Sequence, residues 1–210
     1  MPIKALFVDI GGVLFTDGWG HEARDRAAKA FGLDFDEMET RHRAAFVTHE
    51  LGKLTLAEYL DMVVFTRQRA FTQDQFFGFM TAQSQPFQST IDLVRQLKAR
   101  HGLKVAVVSN EARDLNAYRI ETFKLAAFVD FFVSSCFVRM RKPDAEMFRL
   151  ALDLAQTPAD EVAYIDDQEM FVEIAEALGM HGVHHTDCVS TRARLAALGL
   201  ASADGAEVPS

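Results

Sequence analysis

The sequence predicts an α/β fold: a parallel sheet flanked by helices and interrupted once by an all-helical insertion. Three observations predict it. Short apolar or β-branched runs stand at residues 6–10, 104–109, 131–134, 162–166 and 182–185, and from the second run onward helical patterns separate each from the next. Polar residues follow several of these runs, as they do where buried strands deliver side chains to the rim of a sheet. Residues 18–85 show no strand pattern, only apolar residues at three- and four-residue spacing.

In chain order, the first run reads Ile3-Lys4-Ala5-Leu6-Phe7-Val8-Asp9-Ile10-Gly11-Gly12-Val13. An apolar strand ends in one acid, and the glycines after it let another group approach the backbone closely. Asp9 is a candidate nucleophile or metal ligand; the plainer alternative is a cap on a following helix. The insertion then divides into about four helical segments, one opened by the capping box Thr55-Leu56-Ala57-Glu58, with Gly32 and Gly52 as helix stops. It is rich in phenylalanine (Phe31, Phe35, Phe46, Phe65, Phe71, Phe76, Phe77, Phe79), which packs a small bundle, with a minority facing the main domain. The α/β pattern resumes near Pro86. Residues 1–17 and 86–198 are therefore expected to form an α/β core domain and residues 18–85 a helical domain. Residues 199–210, small and polar, are expected to form a flexible tail.

The chain has 210 residues, enough for a substantial core, and 49% of them are apolar, which excludes a disordered protein. Its net charge of -8 argues against a nucleic-acid partner but not against an anionic substrate, which needs only a local positive site. Cys136 and Cys188 lie far apart without metal-ligand spacing and read as reduced thiols. No signal-peptide pattern opens the chain and no apolar stretch is long enough to span a membrane, so a cytoplasmic protein with no membrane partner is expected.

Further polar residues stand at the same edge of the expected sheet. Ser109 and Asn110 end the second run, Asp166 and Asp167 end the fourth, and Arg141-Lys142-Pro143-Asp144 precedes a helix between them. Ser109 and Asn110 have the alternative role of capping the next helix, and Lys142 that of a surface lysine. The paired acids are harder to assign to structure alone. Two like charges at a buried strand end repel unless a cation or base neutralises them. A hard cation such as Mg²⁺ takes a few carboxylate and carbonyl oxygens, which Asp9 and this pair would offer.

Strand-Asp, Ser-Asn, Lys-Pro and Asp-Asp, in that order and around a helical insertion, resemble the haloacid dehalogenase (HAD)-like hydrolase superfamily. Asp-Ile-Gly-Gly-Val-Leu, Arg-Lys-Pro-Asp and Ile-Asp-Asp are similar to a branch that includes sugar-phosphate phosphatases. The resemblance implies a Rossmann-like core with a helical cap, and a Mg²⁺-dependent phosphatase of a small phosphorylated metabolite. It implies Asp9 as the nucleophile that becomes an aspartyl-phosphate. Metal ligands are then Asp9, the Gly11 carbonyl and Asp167, with Asp166 direct or through water. Ser109 and Lys142 hold the phosphoryl oxygens, with Asn110 beside them. Such a site suits phosphoryl transfer, where cations and donors on the equatorial oxygens do most of the work.

One position departs from the family pattern. Most family phosphatases carry a second aspartate two residues after the nucleophile, to protonate the leaving oxygen and later activate water; here that position is Gly11. General acid–base help is worth a factor of about 10²–10⁴. Three readings follow: a phosphatase in which water, the substrate or another residue replaces the acid (Asp17 is nearest, with a plain turn aspartate beside Gly18 as its alternative role), a metal-independent 2-haloacid dehalogenase, or a catalytically weak regulatory or binding protein. Dehalogenases of the family need no such acid, but they carry tyrosine where this chain has Gly11, and serine and asparagine where it has Asp166 and Asp167. In the insertion, Trp19, Arg41, His42, Arg43, His49 and Lys53 are candidates to face the cleft. His181, His184 and His185 surround the last run, where alternation sends His184 and His185 to opposite faces and argues against a three-histidine metal site.

Overall fold

The computed structural model describes residues 2–202. Strands β1 (Ala5–Val8), β2 (Lys104–Ser109), β3 (Phe131–Ser134), β4 (Val162–Asp166) and β5 (His181–His184) form one parallel sheet in the order β3-β2-β1-β4-β5. Alternation along the strands sorts the core into two layers. Leu6, Val8, Val105 and Val107 face one side and pack with Ile91, Val94 and Leu97 of α5 (Gln88–His101) and Leu195 of α10 (Cys188–Ala197). Ala5, Phe7, Ala106, Val108 and Tyr164 face the other, against Met147, Phe148 and Ala151 of α8 (Ala145–Ala155) and Ala175 of α9 (Glu169–Ala177). Both faces are covered, which is why the strands read as continuous apolar runs.

The expected strands are all present, with β1 and β5 shifted toward the N-terminus. Ile10 follows the strand in a turn and accepts from the backbone N–H groups of Leu14 and Phe15, so it is buried without lying in the sheet. Register places the functional edge. Val8 pairs with Ile165 and with Val107, and the Asp9 N–H donates to the Ile165 carbonyl at 2.9 Å. Asp9 and Asp166 therefore emerge side by side.

The insertion consists of α1 (His21–Phe31), α2 (Phe35–Glu50), α3 (Leu56–Val63) and α4 (Gln73–Ala82). It has its own core of Ala27, Met38, Tyr59, Leu60, Phe76 and Met80, against which Phe31, Phe35, Phe65, Phe71, Phe77 and Phe79 pack. Phe46 instead lies under the Arg141 guanidinium, 5.4 Å from ring to cation, facing the sheet domain. Thr55 and Glu58 form the reciprocal capping box, and Gly32 ends α1 at φ +61°.

Two linkers join insertion and sheet. Thr16 and Gln85 hydrogen-bond across them, and Phe15 bridges Pro86. Arg119, buried on α6 (Arg113–Thr122), pins both: it donates to the Thr16 carbonyl at 2.9 Å, to Ser84 Oγ at 3.1 Å and to Glu111 at 2.5 Å. A Cβ on Gly18 would stand 2.5 Å from Arg119 Nη2, so only glycine leaves room for this side chain.

At the C-terminal end, Leu200 is buried in the sheet core, and Ser202 Oγ accepts from Arg192 at 3.0 Å. The expected tail therefore does not begin at Gly199: residues 199–202 pack because Leu200 supplies an apolar anchor that a composition dominated by small residues conceals. Residues 203–210 lie outside the described residues. Among the described residues, no helix is long and apolar enough to cross a membrane.

Removing one member of a buried ion pair leaves the other uncompensated, at a cost of about 3–5 kcal/mol. Arg119→Met should lower the urea-unfolding free energy by about that much, and Arg119→Met/Glu111→Gln should recover a substantial part of it. Equal losses in single and double variants would show that the linker contacts, not the pair, carry the effect.

Candidate active site

The strand ends converge on one ammonium. Lys142 Nζ, 1% exposed, lies 2.8 Å from Asp9 Oδ1, 2.5 Å from Asp166 Oδ2 and 3.2 Å from Tyr164 Oη. Three acceptors match its three protons. The Tyr164 hydroxyl in turn donates to Asp166 Oδ2, and the Gln168 N–H donates to Asp166 Oδ1 at 2.8 Å. Both oxygens of Asp166 are therefore engaged. Asn110 fixes the lysine from behind: its Oδ1 accepts from the Lys142 N–H at 2.8 Å, and its Nδ2 donates to the Lys142 carbonyl at 3.0 Å. Asp144 caps α8 immediately after. The alternatives left open by sequence close here. Lys142 is not a surface residue, and the Asn110 side chain caps no helix.

Burial dominates the electrostatics. It pushes Asp9 up to about 6, with Asp166 adding to the rise and the Lys142 ammonium and Ser109 hydroxyl opposing it. Burial pulls Lys142 down, but Asp9 and Asp166 outweigh it and hold the ammonium above its ordinary value. Asp167 is half-buried and also raised, first by burial. Its carbonyl accepts from His184 Nε2 at 3.0 Å. Gly12 makes its position possible: at φ +74°, an added Cβ would stand 2.4 Å from the Asp167 carboxylate.

Asp9, Asp166 and Asp167 each offer an oxygen within 4.8 Å of the others, the all-oxygen donor set that a hard divalent cation takes. Both Asp166 oxygens already accept hydrogen bonds and Asp166 does not reach the cavity. Asp9 and Asp167 both line it, with Asp9 Oδ1 accepting from Lys142 and Asp167 Oδ2 from Gln168 Nε2 at 2.8 Å. The arrangement fits Mg²⁺ through Asp9 and Asp167 better than through Asp166. The histidines do not compete for a metal: His181 bonds the Asp160 carbonyl, His184 that of Asp167, and His185 the Thr191 hydroxyl.

Asp9, Gly11, Asn110, Lys142 and Asp167 line a cavity of about 130 Å³. Beside it lies a second, of about 400 Å³, between insertion and sheet, and Asp17, Asn110 and Glu111 line both. Of the residues the sequence marked in the insertion, Trp19, His42, Arg43 and His49 line the larger cavity. Arg41 pairs with Glu37 on the exposed side, and Lys53 is exposed. Glu39, Glu50, Tyr59 and Arg24 were not legible as lining residues, because polar residues on a helix look alike until the neighbouring helix is placed. They form a satisfied network. Arg24 pairs with Glu39, Trp19 Nε1 donates to Tyr59 Oη at 2.8 Å, and His42 Nδ1 meets the same oxygen at 2.7 Å. Burial, helped by Arg24, lowers His42 to about 4, so it is neutral at physiological pH. Glu50 pairs with Arg141 across the seam at 2.7 Å.

Residues 3–179 match the haloacid dehalogenase-like hydrolase family. The chain belongs to that family. A sesquiterpene phosphatase of Aspergillus oryzae is 29% identical over 196 residues, 90% of this chain and 92% of that protein. A phosphorylated carbohydrates phosphatase of Thermotoga maritima is 23% identical over 88% of this chain and 87% of its own. Among solved structures, a HAD family enzyme of Bacteroides thetaiotaomicron, in complex with magnesium and inorganic phosphate, superposes with a TM-score of 0.72 at 25% identity, covering 85% of this chain and 92% of that one. An L-2-haloacid dehalogenase of Xanthobacter autotrophicus shares the fold at a TM-score of 0.58 and 17% identity, over 85% and 75% of the two chains. This HAD-like hydrolase thus has phosphatases among its relatives, and dehalogenases among the proteins that share its fold.

Replacing Lys142 tests the charge balance directly. Lys142→Met leaves Asp9 facing Asp166 without a cation, so the folded-state pKa of Asp9 rises further above its unfolded value. A raised acid holds its proton in the folded state where the unfolded state releases it, so stability grows as pH falls toward the unfolded pKa. Chemical unfolding should show a larger deficit for Lys142→Met relative to wild type at pH 7.5 than at pH 5. A deficit independent of pH would show that packing, not charge, is what Lys142 supplies.

Proposed function

We propose that this HAD-like hydrolase is a Mg²⁺-dependent phosphatase that removes phosphate from a small phosphorylated metabolite through an aspartyl-phosphate on Asp9. The observation that carries the reading is the Lys142 ammonium held between Asp9 and Asp166, with Asp167 across the same small cavity. An oxygen of Asp9 attacks phosphorus, and the P–O bond to the leaving group breaks with its electron pair on that group. Lys142 and the Ser109 hydroxyl hold phosphoryl oxygens, and the adjoining cavity takes the organic part of the substrate. Asp9, Asp167 and the Gly11 carbonyl hold the cation, which neutralises phosphoryl charge when bound. Asp166 acts through Lys142, which it positions. Asn110 acts the same way, through the lysine backbone rather than on the phosphate. Cys136 and Cys188 are unpaired, as a reducing cytoplasm would leave them.

A haloacid dehalogenase would need no acid at position 11, but two further acids beside its nucleophile would repel an anionic haloacid. The reading is tested with 4-nitrophenyl phosphate and 2-chloropropionate, each with Mg²⁺ and with chelator. Phosphate release that needs Mg²⁺ and disappears in Asp9→Asn is expected. Equal phosphate release in chelator refutes the metal role, and metal-independent halide release replaces the phosphatase with a dehalogenase.

The pH dependence follows from burial of Asp9, which is held up to about 6. Metal and proton compete for the same carboxylate, so Mg²⁺ affinity should fall as pH drops through about 6 and level off above it. Calorimetric titration at pH 5 and 7.5 measures this; equal affinities would remove Asp9 from the ligand set.

A further inference from the structure

Gly11 leaves the leaving oxygen without a proton donor where the family pattern would supply one, and the structure shows what stands there instead. A Cβ built on Gly11 meets a single neighbouring heavy atom within 4 Å, Asp17 Oδ1 at 4.0 Å. The Asp17 carboxylate, carried by the loop entering the insertion, therefore borders the space that a carboxylate on residue 11 would enter. It lines the small cavity with Asp9 and Lys142, and also the larger cavity beside it. A group that protonates the leaving oxygen must sit at that boundary, between the phosphoryl group and the organic part of the substrate.

One other acid, Glu111, lines both cavities, and Glu50 lines the larger one alone; both are committed to ion pairs. Glu111 is paired with Arg119 at 2.5 Å and Glu50 with Arg141 at 2.7 Å. The Asp17 carboxylate takes no ion pair or hydrogen bond from the described residues. Its place is also kept open by the chain: a Cβ on Gly20 would stand 2.2 Å from Asp17 Oδ2 and 2.8 Å from its Cγ. Gly20 has φ -69° and ψ 176°, which any residue adopts, so the backbone does not require glycine there but the Asp17 carboxylate does.

We propose that Asp17 is the general acid–base of this enzyme, replacing the aspartate that position 11 lacks. The proposal rests on the phosphatase reading above. In the first half-reaction Asp9 oxygen bonds to phosphorus, the P–O bond to the substrate breaks, and the Asp17 carboxyl proton passes to the departing alkoxide. In the second, the Asp17 carboxylate takes a proton from water. That water's oxygen bonds to phosphorus, and the P–O bond to Asp9 breaks with its pair returning to the Asp9 carboxylate. Protons and electron pairs balance over the cycle.

The test uses 4-nitrophenyl phosphate, whose leaving group needs no proton, and β-glycerophosphate, whose alkoxide does. For Asp17→Asn with Mg²⁺, kcat/KM on β-glycerophosphate should fall roughly 10²-fold or more, while kcat/KM on the aryl ester falls less than about tenfold. Water activation is then impaired, so the aryl ester should give a stoichiometric burst of nitrophenol before slow turnover. Gly20→Ala, which displaces the Asp17 carboxylate without straining the backbone, should shift the alkyl-to-aryl ratio the same way. Gly11→Asp/Asp17→Asn should restore it, since the space at position 11 is open. Equal losses on both esters without a burst, or no loss, overturn the role of Asp17. A wild-type protein that hydrolyses neither ester in Mg²⁺ overturns the phosphatase reading and this proposal with it.

Discussion

Three carboxylates within 4.8 Å of one another at the buried end of a sheet repel strongly, and the Lys142 ammonium among them is what allows the fold to gather them. Like charges at this distance in a low-dielectric surround cost several kcal/mol unless a counter-charge is fixed nearby. Lys142 supplies that charge from a loop, and loops do not hold a flexible side chain without help. Asn110 locks its backbone on both sides, Tyr164 takes its third proton, and the Phe171 ring lies 4.9 Å from the ammonium. The result is a cation that cannot leave and two acids that cannot separate. One lysine against three acids leaves net negative charge, which a divalent cation at Asp9 and Asp167 would offset.

The sheet determines which residues take part. With β1 central and both neighbours parallel to it, the ends of β1, β2 and β4 lie on one edge, and register sets their depth to within a residue. A slip of one residue in β4 would turn Asp166 toward the opposite helical layer and break the contact with Lys142. The glycines after β1 act by leaving space rather than by bending the chain alone. Gly12 admits the Asp167 carboxylate, which no Cβ would tolerate.

Much of this was legible in the sequence because strand ends are where an apolar run meets a polar residue. Asp9, Ser109, Asp166 and Asp167 all stand at such junctions, and the structure brings them together with Lys142. The role of Asn110 was not legible. Its spacing after Ser109 gives no hint that its side chain is spent on the backbone of residue 142. The polar network in the insertion was equally hidden: Arg24, Glu39 and Tyr59 sit on three different helices, and periodicity reports which face of a helix is apolar but not which helix will lie opposite. Leu200 shows the same limit at the other extreme, since one apolar anchor among small residues carries no period at all.

The seam between insertion and sheet ties these parts to one another. Arg119 holds both linkers and Glu111, Glu50 reaches across to Arg141, and Arg141 precedes the lysine on which the acids depend. Arg119, Glu50 and Glu111 also line the larger cavity, and Glu111 lines the smaller one as well. Movement of the insertion relative to the sheet would break or strain the Glu50–Arg141 pair beside Lys142, whose own backbone is held by Asn110. Asp17 lies in one of the two linkers that such a movement would bend. Its carboxylate packs against Gly20 of the same loop and takes no hydrogen bond from the described residues. A proton donor carried on a linker follows that linker, whereas one carried at position 11 would be fixed to the end of the strand.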